Sequence, residues 1–132
     1  MAQTLNLKIK DFKEALDRLK EALNQEKNEF IRDSVIKRFE FAFELAWKSA
    51  KLYLRDLEGV EIFSPKDCWR ELRKNNLLTD EETEIFLAMT DERNSIVHTY
   101  DQKFSEALEK KIRDDYYSRL NNLFQAMEKN AK

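Results

Sequence analysis

Glycine, proline, cysteine and histidine each occur once in this 132-residue chain, as Gly59, Pro65, Cys68 and His98. Each scarcity excludes something. Turn-rich β architectures need glycine and proline for tight turns with positive or fixed φ, so an all-β fold is ruled out. A lone Cys68 cannot close an intramolecular disulfide, which fits a reducing compartment. A lone His98 leaves one side chain whose unperturbed pKa lies near neutrality, so acid–base chemistry has one imidazole to use. No run of apolar residues is long enough to span a bilayer. Met1 to Lys10 lack the continuous apolar core of a signal peptide, so the expected setting is cytoplasmic, with no membrane partner. The formal net charge of −2 argues against coating nucleic acid by charge alone, and leaves room only for a local basic groove. His, Cys and carboxylates nowhere show metal-site spacing, so neither a metal nor another cofactor is expected.

What the chain does have is charge, at 38% of residues, and helix-forming Leu, Ala, Glu, Lys and Arg, which lose little rotamer freedom in a helix. Leu5, Ile9, Phe12, Leu16, Leu19 and Leu23 recur at spacings of three and four, predicting an amphipathic helix from about Thr4 to Gln25. A second helix, about Glu29 to Leu57, carries two apolar faces. One collects Ile36, Phe39, Phe43, Ala46, Trp47, Ala50, Leu54 and Leu57. The other collects Phe30, Phe41, Leu45 and Leu52. Between them runs a polar strip of Lys37, Glu40, Glu44, Lys48, Lys51 and Arg55, which reads first as a solvated face. Two apolar faces imply burial on two sides: one in the domain's own core, the other against a second subunit or in an enclosed central position.

Gly59 breaks this helix. Ser64-Pro65 starts a short one to Lys74, with Ser as cap and Pro at the first position, burying Cys68, Trp69 and Leu72. Thr79-Asp80-Glu81-Glu82 reads as a capping box opening a fourth helix to about His98. Asp101 or Ser105 caps a last helix carrying Phe104, Leu108, Ile112, Tyr116, Leu120, Leu123 and Met127. The expected fold is all-α: one domain of residues 1–132, an up-and-down bundle of four main helices plus a short extra one. Phe39, Phe43, Trp47 and Trp69 are expected in the core, and of the pair Tyr116-Tyr117 one ring in the core and one at the surface.

Chemistry concentrates around His98. Arg93, Asn94 and Tyr100 stand close to it in sequence. On an ideal helix Asn94 and His98 share a face, while Arg93 lies about 140° from His98. Arg93 therefore bends toward the site, sits on an irregular helix, or meets His98 of another subunit. A guanidinium, an imidazole, an amide and a phenol together suit a phosphate diester: Arg grips two oxygens with its planar fork, and His moves a proton. The bland alternatives are an Arg93 paired with carboxylates near Asp91 and Glu92, a helix-ending Asn94, and a Tyr100 in the core with its hydroxyl at the rim.

Arg93-Asn94-Ser95-Ile96-Val97-His98-Thr99-Tyr100 resembles the R-N-x3-H-x-Y signature of HEPN domains. Arg38 to Lys48 and Ser64 to Glu71 resemble the family's second helix and the start of its third. Asp91 to Asp101 resembles the block of its nucleotidyltransferase substrate-binding, HepT-like branch. Phe86 stands where many relatives have Trp. The resemblance implies a helical bundle that forms a homodimer near the motif and is paired with a separate small nucleotidyltransferase (MntA-like), in a system resembling toxin–antitoxin pairs. It implies a partner protein and not the transferase itself, for which a Gly-rich phosphate loop is also missing. It implies two readings of one groove: a subunit that presents substrate to the transferase, or alternatively a metal-independent ribonuclease with Arg93 and His98 as catalytic residues. Asn94 and Tyr100 would bind RNA or nucleotide, and Tyr100 would accept AMP.

Overall fold

The computed structural model describes residues 2–98 and 101–131. Its helices are α1 (Ala2–Leu23), α2 (Glu29–Tyr53), α3 (Pro65–Lys74), α4 (Asp80–Ser95), α5 (Gln102–Lys111) and α6 (Tyr117–Asn130), an all-α bundle. The termini are set where local chemistry predicts. Ser64 Oγ accepts from Asp67 N–H ahead of Pro65, and Thr79 and Glu82 cap each other reciprocally. Asp101 accepts from Lys103 N–H, which decides between the two candidate caps of the last helix. The sequence reading did not assign the cap of α2, which is Asn28, accepting from Ile31 N–H at 2.8 Å.

Two helices are continued by wider turns. A π turn, Leu54–Glu58, closes α2, and Gly59 stops it in the left-handed region at φ 68°, where a side chain is strained. A second π turn, Ile112–Tyr116, joins α5 to α6, so the expected single last helix is interrupted. Its apolar residues explain this. Phe104, Leu108, Ile112, Tyr116 and Leu120 repeat every four residues, and on a 3.6-residue helix that spacing drifts by about 40° per step. A wider turn rotates less per residue and takes back the drift, keeping Ile112, Tyr116 and Leu120 all buried.

Helix α2 is the hub, packed against α1, α3, α5 and α6. Ala42, Ala46 and Ser49 form a stripe of small residues, and Ser49 Oγ donates to the Lys8 carbonyl at 3.1 Å, tying α2 to α1. Phe39 stacks on Tyr116 with centroids 5.9 Å apart, and Phe43 meets the edge of Trp69 at 5.9 Å. The second apolar face of α2 is not covered by the chain. Phe30 is 82% and Phe41 59% exposed, with Leu45 and Leu52 half-buried beneath. Leu57, assigned to the first face, is also exposed, because the π turn swings it out of register.

Tyr116 ties the last helix to α4 by donating its hydroxyl to Glu92, which also pairs with Lys111 at 3.1 Å. Tyr116 is the core ring of the tyrosine pair, and Tyr117, expected at the surface, is half-buried against the core. Burial, and then the Glu92 carboxylate, hold the Tyr116 phenol above its ordinary pKa of 10.0. Up to about pH 10 folded and unfolded states both keep this proton; above it the unfolded chain ionises first, so stability falls as pH rises. Tyr116→Phe is expected to cost about 0.5–1.5 kcal/mol near neutrality from the lost hydrogen bond. It is also expected to soften the alkaline loss, while Tyr53, Cys68 and Tyr117, whose pKa values are raised first by burial, keep theirs. Denaturant unfolding at pH 7 and pH 11 measures both, and an unchanged alkaline slope would separate Tyr116 from that loss.

Candidate functional site: the end of α4 against the polar strip of α2

Arg93 leaves the last turn of α4 and reaches across to α2. Its guanidinium carbon lies 5.2 Å from the centroid of the buried Phe43 ring. One terminal nitrogen donates to Glu44 Oε2, the other to Asn94 Oδ1 at 3.2 Å. Glu44 is itself well held: Trp47 Nε1 donates to it at 3.3 Å and Lys48 Nζ pairs with it at 3.2 Å. Arg93 is thus paired, but with a carboxylate of another helix and not with Asp91 or Glu92. Asp91 instead binds Lys66 of α3 at 2.6 Å, and Glu92 is the partner of Tyr116.

Lys37, Glu40, Phe41, Glu44 and Arg93 enclose an open groove of about 190 Å³. The polar strip of α2 therefore forms one wall of it. Lys37 Nζ lies 5.5 Å from the Phe41 centroid, at the point where the groove meets the uncovered apolar face. Lys48 reaches the site through Glu44. Trp47, expected in the core, is half-buried, because its indole N–H faces the Glu44 carboxylate and Lys51 lies over its ring at 5.8 Å. Larger hollows lie elsewhere, one of about 520 Å³ between α1 and the end of α6, and no motif residue lines it.

Helix α4 does not run unbroken to His98. After Ser95 it tightens into a 3₁₀ turn, Ile96–His98. An ideal 3₁₀ residue turns about 120° where an α residue turns about 100°, so the expectation that Asn94 and His98 share a face, which assumed an unbroken α-helix, does not carry over. The structure brings Arg93 and Asn94 together. It leaves His98 exposed, with no hydrogen bond to a described residue. Tyr100 lies outside the described residues. Glu44, Glu40 and Lys37 are the site residues that sequence reasoning set aside as solvated. The signal that could have found them is the way their strip borders both apolar faces, so anything seated on either face meets it.

Cys68 is buried among these helices, with its Sγ 3.7 Å from the Trp47 carbonyl, and burial pushes its thiol pKa up. Among the described residues no cluster of three or more His, Cys, Asp or Glu could hold a metal ion, and no helix is long and apolar enough to cross a membrane.

The family model described as nucleotidyltransferase substrate binding protein like matches residues 7–129. The chain belongs to that family. A solved protein of Thermus thermophilus is similar at 37% identity and a TM-score of 0.83, covering 88% of this chain and 98% of its own. Two solved structures share the nucleotidyltransferase substrate-binding fold at lower identity. One is a tri-AMPylated Shewanella oneidensis HEPN toxin in complex with MNT antitoxin, at 19% identity and TM-score 0.77, covering 95% of this chain and 96% of that one. The other is a Haemophilus influenzae protein described as a substrate binding domain of a nucleotidyltransferase, at 21% identity and TM-score 0.65, covering 97% and 99%. No curated protein matches the chain. Arg93 is thus seated at a groove wall, and Phe86 packs its ring 4.8 Å from that of Trp69.

Proposed function

We propose that the chain is the helical partner of a separate small nucleotidyltransferase (MntA-like), one half of a toxin–antitoxin-like pair. It acts in the cytoplasm as a one-domain homodimer, through the groove at Arg93. The observation that carries this reading is a single helix end, α4, that seats a guanidinium at an open groove and presents the chain's only imidazole to solvent, in a chain that the substrate-binding family model spans over residues 7–129. The dimer is supported by the uncovered face of Phe30, Phe41, Leu45 and Leu52 beside the groove. It is also supported by His98, which is exposed and bonded to no described residue, and so is open to a second subunit's groove.

In this pairing the transferase modifies Tyr100. Its phenol oxygen attacks the α-phosphorus of ATP; an O–P bond forms, the bond to pyrophosphate breaks, and the phenol proton passes to solvent. Bulk and negative charge are then added two residues along the sequence from His98 and hinder any phosphate-bearing ligand. The test is coexpression with an MntA-like small nucleotidyltransferase, affinity purification, and intact-mass analysis with ATP. Co-elution and an added AMP moiety, lost in Tyr100→Phe, are expected. Absence of both co-elution and added mass would overturn the proposal.

A second reading is a metal-independent ribonuclease. The free His98 favours it, since a general base needs an unengaged nitrogen. The 2′-oxygen of RNA attacks the adjacent phosphorus, the 5′-oxygen leaves with a proton, and a cyclic phosphate remains. Arg93 holds the phosphoryl oxygens and His98 transfers the proton.

A further inference from the structure

The geometry points to Glu44 as the residue that positions Arg93 for phosphate, an inference that rests on the groove reading above. Glu44 and Arg93 sit on different helices, 49 residues apart, and their side chains are 31% and 28% exposed. A half-exposed ion pair of this kind adds little to stability. What distinguishes it is how firmly the carboxylate is fixed from its own side. On α2 itself Trp47 donates to it and Lys48 forms an ion pair with it, so its direction is set before Arg93 arrives. The guanidinium then has the Phe43 ring on one face, Glu44 at one terminal nitrogen and Asn94 at the other. Its remaining N–H groups stay available at the groove.

Charge alone does not recruit a ligand here. Lys37 and Arg93 are matched in the groove wall by Glu40 and Glu44. A phosphate is therefore recognised by the direction of the N–H donors, and that direction is what Glu44 sets. Lys48 leaves the carboxylate compensated when a phosphate takes up part of the arginine fork.

The test measures binding of a short fluorescein-labelled single-stranded RNA to the full chain by fluorescence anisotropy. Glu44→Ala is expected to weaken binding about tenfold, and Glu44→Gln, which keeps an acceptor for Arg93, to stay within about threefold of the parent. Glu44→Asp, which draws the carboxylate back by one methylene, is expected to weaken binding as alanine does, and carries the test if the alanine variant does not fold. In an Arg93→Ala background Glu44→Ala should add nothing, because the two act as one unit. Unchanged binding by Glu44→Ala and Glu44→Asp, or an equal loss with and without Arg93, would overturn the role of Glu44 while leaving the groove in place. A parent chain that binds no RNA, or binds it equally after Arg93→Ala, would instead remove the groove reading and this inference with it.

Discussion

Trp69→Ala is expected to destabilise the chain by about 3–5 kcal/mol, enough to remove most of the stability of a domain this size. Trp69 is fully buried on α3, its ring 5.9 Å from Phe43 and 4.8 Å from Phe86. Its indole N–H donates to Thr90 Oγ1 at 2.8 Å, and that hydroxyl donates onward to the Phe86 carbonyl at 2.8 Å. Alanine leaves a cavity bounded by α2, α3 and α4, and an acceptor stranded in the core. Trp69→Phe keeps an aromatic ring in place but gives up the hydrogen bond and part of the buried volume, so a smaller loss of about 1–3 kcal/mol is expected. Guanidinium unfolding of both variants gives the comparison. A loss below about 1 kcal/mol for alanine would show that α3 is not clamped here. The clamp bears on function because Thr90 lies one turn before Arg93: loosening it frees the segment that aims the guanidinium.

How much of this could be read from the residues depends on the kind of signal. Apolar spacing and capping chemistry are local, so α1, α3 and the start of α4 were legible from Leu5 to Leu23, from Ser64-Pro65 and from the Thr79–Glu82 box. The second face of α2 was equally legible, but the structure leaves Phe30 and Phe41 uncovered by the chain, so the enclosed central position that periodicity allowed does not hold. The π turns were not, because a spacing of four is compatible with a drifting α-helix until packing decides that Ile112, Tyr116 and Leu120 must all point inward. The motif placed Arg93 and His98 on one helix end. It could not show that Glu44 holds Arg93, since that pair joins residues 49 apart in sequence and depends on the angle between α2 and α4. The expectation that Asn94 and His98 share a face assumed α geometry, and the 3₁₀ turn at Ile96–His98 changes the angle on which it rested.

Under the ribonuclease reading, His98→Ala is expected to slow RNA cleavage by about 10²–10⁴-fold, the usual worth of a general acid or base, with little change in stability. His98 is exposed and bonded to no described residue, so its removal strands nothing in the core. RNA affinity should barely change, because the imidazole acts on the proton in flight, whereas Arg93→Ala should lower affinity and rate together. Arg93→Lys should not rescue it, since an ammonium cannot reproduce the planar fork over Phe43. Subunit mixing then decides the geometry. If each groove takes Arg93 from one protomer and His98 from its partner, a mixed dimer of Arg93→Ala and His98→Ala subunits holds one groove with both groups and one with neither. Equal mixing of two inactive variants, unfolded and refolded together, should then recover about a quarter of the parental cleavage rate, because about half the dimers are mixed and each has one working groove. If Arg93 and His98 serve the same groove from the same protomer, every groove in every mixture lacks one of them and no activity returns. Arg93 engaged with Glu44 on its own α2, and an exposed His98 bonded to no described residue, favour the first outcome.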